Sequence, residues 1–341
     1  MPKAFPPEMY SSLACVCGAT TDLIKEDETL KCPSCGRSHA IVDGVPVILY
    51  SERSVFDAED IIRRYRATNK SSQRSAFRTL RRFVPRISVN LIADHIGNRI
   101  RGMLSGIPHP RVLVVGGGEA GAGLKELLDE PSYTIVESDI YFGPRCNLIA
   151  DGHNLPFKSD TFDLVICQAV LEHVVRPHAC IDEIHRVLNP RGVFFADIPF
   201  MQPVHMGAYD FTRFSLGGLR LACRAFEEEG AGFSIGPFSA VTQTLWHAAQ
   251  TVSDARIWKA FVWFGLPWMI FWLAQFDRLL RHRLQAADAA SGVYFIGRKA
   301  DRLRSEREII RQYWRYQLQD RAQASVRTRP ATEGIEKARV H

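Results

Sequence analysis

The chain has 341 residues, 46% hydrophobic and 23% charged, which allows one sizeable core plus an accessory unit and excludes an extended disordered protein. Its 43 basic and 37 acidic residues leave a net charge of +6, so nucleic acid is not required as a partner, although the arginines are clustered. The opening Met1-Pro2-Lys3-Ala4-Phe5-Pro6-Pro7 lacks the apolar stretch of a signal peptide; the expectation is a cytoplasmic chain whose eight cysteines are thiols or metal ligands rather than disulfides.

Residues 1–50 read as a small β module. Cys15-Val16-Cys17-Gly18 and Cys32-Pro33-Ser34-Cys35-Gly36 put two cysteine pairs on tight turns. Four thiolates from Cys15, Cys17, Cys32 and Cys35 suit a tetrahedral zinc, structural because no coordination position stays open. The first pair is one spacer short of Cys-x-x-Cys, which leaves a metal-free relic as the alternative. Residues 51–110 form a basic linker, expected helical, with Arg63, Arg64, Arg66, Lys70, Arg74 and Arg78 interleaved with Ile61, Ile62, Tyr65 and Phe77. It is either a solvated face or a patch for an anionic acceptor.

From Arg111 the pattern changes to short apolar runs, each ending in polar residues. Val112-Leu113-Val114-Val115 predicts a buried strand that breaks into Gly116-Gly117-Gly118-Glu119-Ala120-Gly121, where a backbone without side chains can turn tightly and approach a ligand. That motif alone also fits a dinucleotide site. Tyr133 to Val136 predicts a second strand, with Glu137 and Asp139 at its end as acceptors for ribose hydroxyls. Leu148-Ile149-Ala150 leads into Asp151-Gly152-His153-Asn154-Leu155-Pro156-Phe157, where an acid and amides can read an adenine edge. Phe162 to Cys167, a helix over 178–188, the turn Asn189-Pro190-Arg191-Gly192 and the strand Val193 to Ile198 complete an alternation that predicts a parallel sheet with its ligand at the strand C-termini.

Phe233 to Val241 and Gly292 to Gly297 are the expected sixth and seventh strands, separated by a hydrophobic insert at about 245–290. Residues 260–273 are apolar on every side and precede Arg278, Arg281 and Arg283. The length is near the minimum for a membrane span, but one crossing would part the seventh strand from its sheet. The expectation is therefore a helix lying on the inner face of the membrane, against a buried helical pair or dimer contact as the alternative. Residues 301–341 are a basic tail, helical at first and then disordered by composition.

Residues 110–240 resemble the class I S-adenosylmethionine-dependent methyltransferases, through Asp151 with Leu155-Pro156-Phe157, Phe162-Asp163, Leu171-Glu172-His173 and the Leu188 to Gly192 turn. The resemblance implies an α/β fold, a seven-stranded doubly wound Rossmann-like sheet over 111–300. It implies S-adenosylmethionine with its methionine end at Gly116, Gly118 and Gly121, its ribose on Asp139, its adenine by Asp151 and Gly152, and its sulfonium end near Gln168. The acid usual two residues before the first glycine is Val114 here, and Glu119 is a substitute for it. Relatives place acceptor-binding residues where this chain has Pro199 to Phe214, so His205 is the first candidate base, Asp210 the second, and Tyr209 and Arg213 bind the acceptor. The second half of the 1–50 module resembles the small zinc-ribbon proteins that accompany methyltransferases. The implied function is methyl transfer to an unidentified acceptor; an NAD-dependent oxidoreductase and a non-catalytic partner of the same fold are the rivals.

Overall fold

The computed structural model describes residues 2–18, 21–52, 54–68, 81–118 and 120–314. Strands β1 (Ile24–Glu26), β2 (Thr29–Lys31), β3 (Ser38–Val42) and β4 (Val45–Ile48) form a meander, followed by helices α1 (Ala58–Thr68) and α2 (Ile96–Met103). Next come β5 (Arg111–Val115), α3 (Lys125–Leu128), β6 (Thr134–Asp139), β7 (Leu148–Ala150), β8 (Phe162–Gln168), α4 (Pro177–Val187) and β9 (Leu188–Pro199). The chain continues through α5 (Leu216–Ala222), β10 (Phe226–Ile235) and α6 (Pro237–Gln250). Then α7 (Arg256–Ala260), a π-helical turn Phe261–Gly265, α8 (Leu266–Gln275) and α9 (Asp277–Leu280) lead to β11 (Gly292–Lys299).

Among the described residues all eleven strands share one sheet, in the order β1-β2-β3-β4-β7-β6-β5-β8-β9-β11-β10. From β4 to β9 neighbours run parallel, and β11 inserts antiparallel between β9 and β10. Parallel strands covered on both faces need apolar side chains at successive positions, and Val112 to Val115 are all buried. One face packs under α4 through Cys180, Ile181, Ile184 and Val187. The other packs under α2 through Ile96 and Ile100. The antiparallel β11 separates this sheet from an all-parallel dinucleotide-binding one.

The first fifty residues do not keep a core to themselves. Phe5, Met9, Leu13, Val16, Leu30, Ile41 and Ile48 join the same cluster as Leu113, Val136 and Phe194. β4 extends the main sheet, pairing Val47 with Ile149 and Ile48 with Ala150. So few residues bury too little surface alone, and the edge of the larger sheet supplies the rest. The β3–β4 turn has Asp43 at φ 50° and Gly44 at φ 78°, the left-handed pair that a tight hairpin needs.

One sequence expectation shifts. The strand expected at 233–241 lies earlier, at β10, and Pro237 starts α6 instead. The acidic run Glu227-Glu228-Glu229 disguised the strand, although it pairs with β11 from Phe226 onward. After Gly116 the chain runs through turns to the short α3. Glu119, Lys70, Arg74, Phe77 and Arg78, and the tail after 314, lie outside the described residues.

The insert folds back on α6. Trp246 Nε1 donates to Val262 O at 2.9 Å, Trp258 Nε1 donates to Ala249 O at 2.8 Å, and Trp246 meets Trp263 edge-on at 4.9 Å. Buried Asp277 closes the hairpin by accepting the Phe238 and Ser239 amides at 2.8 and 2.9 Å, capping α6. Trp268, Met269, Trp272 and Phe276 remain exposed on the other side.

Candidate cofactor and acceptor site

The C-terminal ends of β5, β6, β7 and β8 enclose a cavity of about 710 Å³. On the strand side it is lined by Val115, Gly116, Ser138, Asp139, Ala150, Asp151, Gly152 and Ala169; on the loop side by Val55, Phe56, His173, His205 and Tyr209. Gly116 turns the chain at φ 77°, and a Cβ there would fall 2.2 Å from Val170 Cγ2. The amides of Gly116 and Gly117 both donate to Ser138 O, at 2.8 and 2.9 Å, which ties the glycine turn to the end of β6.

Asp139 is fixed by three amides. Its Oδ1 accepts from Ile140 at 2.7 Å and Tyr141 at 3.1 Å, and its Oδ2 from Gly118 at 3.0 Å. Burial raises its pKa and these amides work against that rise. A carboxylate offers about four acceptor positions, so one on Oδ2 stays free beside the cavity. Glu137, the other acid on this strand, points elsewhere. It is buried in an ion pair with Arg145, whose Nε lies 3.0 Å from each of its oxygens.

Asp151 also lines the cavity, and burial works against its charge. Hydrogen bonds from His153 and Ser54 outweigh that and hold its pKa below the ordinary value. His153 Nε2 accepts the Arg176 amide at 3.1 Å, so its Nδ1 carries the proton and donates to Asp151 Oδ1 at 2.6 Å. Ser54 belongs to the linker, as does Phe56, which stacks on Tyr209 with ring centroids 5.9 Å apart. Ser54 and Phe56 were not legible as site residues, because their segment carries no motif.

Gln168 ends β8 behind the glycine turn. Its Nε2 donates to Asp197 Oδ2 at 3.0 Å, while its Oε1 is buried with no hydrogen-bond partner among the described residues. A Cβ at Gly121 would fall 1.7 Å from that oxygen. Glycine at 121 thus leaves room for this buried acceptor, which sits beside the cavity rather than among the residues that line it and still wants a donor. Val114, where relatives carry an acid, is buried in the apolar core. Asp197, which aims Gln168, could have been noticed as the one acid within Val193 to Ile198.

In the loop after β9 the four expected residues separate. Tyr209 and His205 line the cavity. Asp210 and Arg213 do not; they pair with each other, and Arg213 also reaches Gln202 O at 3.3 Å. Arg213 holds the Asp210 carboxyl down to about 2. So strong an acid is a poor proton acceptor, and a guanidinium spent on its own loop is not free for an acceptor molecule. Bracing replaces the base and binding roles expected of this pair. His205 Nε2 faces His173 Nε2 at 3.1 Å. His173 Nδ1 donates to Tyr209 O at 2.6 Å, which leaves the lone pair on its Nε2. Beside them Glu172 is 1% exposed, with neither carboxylate oxygen hydrogen-bonded among the described residues.

The four N-terminal cysteines converge. Cys15 and Cys35 sulfurs are 3.7 Å apart and Cys17 and Cys32 sulfurs 3.9 Å apart. Zinc–sulfur bonds of about 2.3 Å in a tetrahedron require sulfurs roughly 3.8 Å apart, so the cluster suits a structural zinc. Gly18 and Gly36, each directly after a pair, take φ values of 87° and 72° and let the two turns close. The short Cys-x-Cys spacing is thus accommodated.

A profile of the methyltransferase domain family matches residues 115–196. The mouse protein named arginine-hydroxylase NDUFAF5, mitochondrial, is 38% identical over 109 residues, which are 31% of this chain and 27% of that protein. Its human counterpart is 37% identical over 101 residues, 29% of this chain and 26% of that protein. The match therefore spans about a quarter of those relatives. Among solved structures, a putative sarcosine dimethylglycine methyltransferase from Galdieria sulphuraria is 14% identical over 71% of this chain and 99% of that one, with a TM-score of 0.41. Haemonchus contortus phosphoethanolamine N-methyltransferase 2 bound to S-adenosyl-L-methionine is 14% identical over 62% of this chain and 54% of that one, with a TM-score of 0.38. Scores this low say nothing about chemistry. The profile match falls on the stretch from the end of β5 to β9 that carries the glycine turn, so residues 115–196 are similar to a methyltransferase domain.

Proposed function

We propose that this chain binds S-adenosylmethionine in the cavity at the ends of β5 to β8 and transfers its methyl group to an acceptor entering beside Tyr209. The observation that carries the reading is the convergence of the Gly116 turn, Asp139, Asp151 and Gly152 on one ligand-sized space. The sulfonium supplies an electrophilic methyl when bound. Asp139 would hold a ribose hydroxyl, Asp151 and Gly152 the adenine, and Gln168 Oε1 the ammonium in place of the acid missing at Val114. Phe56 and Tyr209 would narrow the opening and limit water. Alignment of donor and acceptor is most of what such a displacement needs.

Incubating the protein with methyl-labelled S-adenosylmethionine and separated metabolite, lipid and protein fractions tests this. Label should enter one fraction with wild type and, at cofactor concentrations that are subsaturating for the variant, far less with Asp139→Ala. No label in any fraction, with cofactor binding intact, would favour a non-catalytic partner. The relatives' name sets a further rival, hydroxylation of an arginine side chain, which would add oxygen and no labelled methyl.

We further propose a structural zinc on Cys15, Cys17, Cys32 and Cys35, and attachment of the insert to an anionic membrane surface without crossing it. Arg256–Leu280 is long and apolar enough to span a bilayer. However, Asp277 holds its far end on the N-terminus of α6, and β11 must pair with β9 and β10. Exposed Trp268 and Trp272 suit the headgroup boundary, and Arg278, Arg281 and Arg283 follow to meet anionic lipid.

A further inference from the structure

Glu172, His173 and His205 meet where the Leu171-Glu172-His173 turn after β8 touches the acceptor loop. His173 Nε2 is 3.5 Å and His205 Nε2 is 3.9 Å from Glu172 Oε1, and the two nitrogens are 3.1 Å apart. One point lies about 2 Å from all three atoms, the length of a bond from a divalent transition metal to nitrogen or carboxylate oxygen. We propose that these three side chains are the ligands of a divalent transition-metal site whose remaining positions open into the cavity.

Three features make this a built site rather than a chance meeting. Glu172 is 1% exposed and both of its oxygens lack a hydrogen-bond partner among the described residues, the state that a buried carboxylate leaves by coordinating a cation. The imidazoles are preset by their other nitrogens. His173 Nδ1 donates to Tyr209 O, and His205 Nδ1 lies 3.5 Å from Asp210 Oδ2, itself locked by Arg213. That leaves the His173 lone pair on Nε2, and with the His205 proton on Nδ1 toward Asp210 both Nε2 atoms are available to one ion, the outer-shell arrangement typical of metal-bound histidine. Finally, the Phe211 amide donates to Glu172 O at 2.7 Å, so the loop bearing His205 is pinned to the turn bearing the other two ligands. Two imidazoles and one carboxylate on one side of an ion suit iron, manganese, cobalt or zinc and leave positions for water or a ligand oxygen. His205 is then a metal ligand rather than a general base, and the Asp210–Arg213 pair is what aims it. The proposal stands independently of methyl transfer.

Cobalt(II) titrated into metal-stripped full-length protein separates this site from the cysteine cluster, because thiolate ligands add intense charge-transfer bands that nitrogen and oxygen ligands lack. Wild type should take up one equivalent without those bands. His205→Ala, in an exposed loop, and Glu172→Gln, which keeps the side-chain shape, should weaken it at least ten-fold; Cys32→Ser should leave it in place. Circular dichroism on each variant checks that the fold persists. If wild type binds cobalt only with the thiolate signature, or folded His205→Ala and Glu172→Gln bind the second equivalent as tightly as wild type, the site does not exist.

Discussion

Replacing Asp139 with alanine separates a ribose-holding carboxylate from one that merely braces the end of β6. Three of its acceptor positions are filled by the Gly118, Ile140 and Tyr141 amides. The remaining one, on Oδ2, faces the cavity, so the substitution removes a single charged hydrogen bond to the ligand. That is worth about 1.5–3 kcal/mol, or roughly a 10- to 150-fold weaker affinity. It also strips the acceptor from three amides, so the melting temperature should fall as well. Calorimetric titration of S-adenosylhomocysteine at a temperature where circular dichroism shows the variant folded isolates the binding effect. An affinity within two-fold of wild type in the folded variant would mean that Asp139 is only a brace and that the ligand lies elsewhere.

Purified protein should contain zinc by elemental analysis, and Cys32→Ser should lose one equivalent per chain. Because β4 pairs with β7 and Asn154 Nδ2 donates to Val16 O at 3.0 Å, zinc removal should also lower cofactor affinity; unchanged affinity after zinc loss would break that link. Changing Trp268, Met269 and Trp272 to serine should reduce sedimentation with anionic liposomes at least ten-fold and spare cofactor binding, since each buried side chain is worth about 1.5–3 kcal/mol. A wild type that stays in the supernatant as a dimer would point to a protein contact instead. Burial raises Asp197 to about 6, against the weaker pull of Ser234 and Gln168. A group with a raised native pKa stabilises the fold at low pH and loses that contribution as pH climbs from about 4 to about 6, here about 3 kcal/mol. Asp197→Asn should therefore gain stability relative to wild type by about that amount between pH 4 and pH 7 in denaturant titrations, and a constant difference would show that Asp197 does not titrate there.

The sheet was readable because its signal is local. Val112 to Val115, Leu148 to Ala150 and Phe162 to Cys167 are short apolar runs closed by polar turns, which is what burial on both faces demands. β10 was misplaced because its charged stretch is set by pairing with β11, a contact formed with residues about seventy positions away. The cavity's strand side, Gly116, Asp139, Asp151 and Gly152, followed from where strands end. Its loop side did not, since Ser54, Phe56 and the partners of Asp210 and Arg213 depend on how distant segments fold over the sheet. The same holds for the insert. An all-apolar run gives no face, and only the hydrogen bonds of Trp246 and Trp258 show that Trp258 and Trp263 turn inward while Trp268 and Trp272 turn outward.

The most direct measurement is a calorimetric titration of the purified chain with S-adenosylmethionine, run in parallel with NAD. A single saturable site for S-adenosylmethionine, competed by S-adenosylhomocysteine and absent for NAD, is the result predicted by the glycine turn, Asp139 and Gln168 together. Saturable NAD binding with no response to S-adenosylmethionine would contradict the assignment of this cavity.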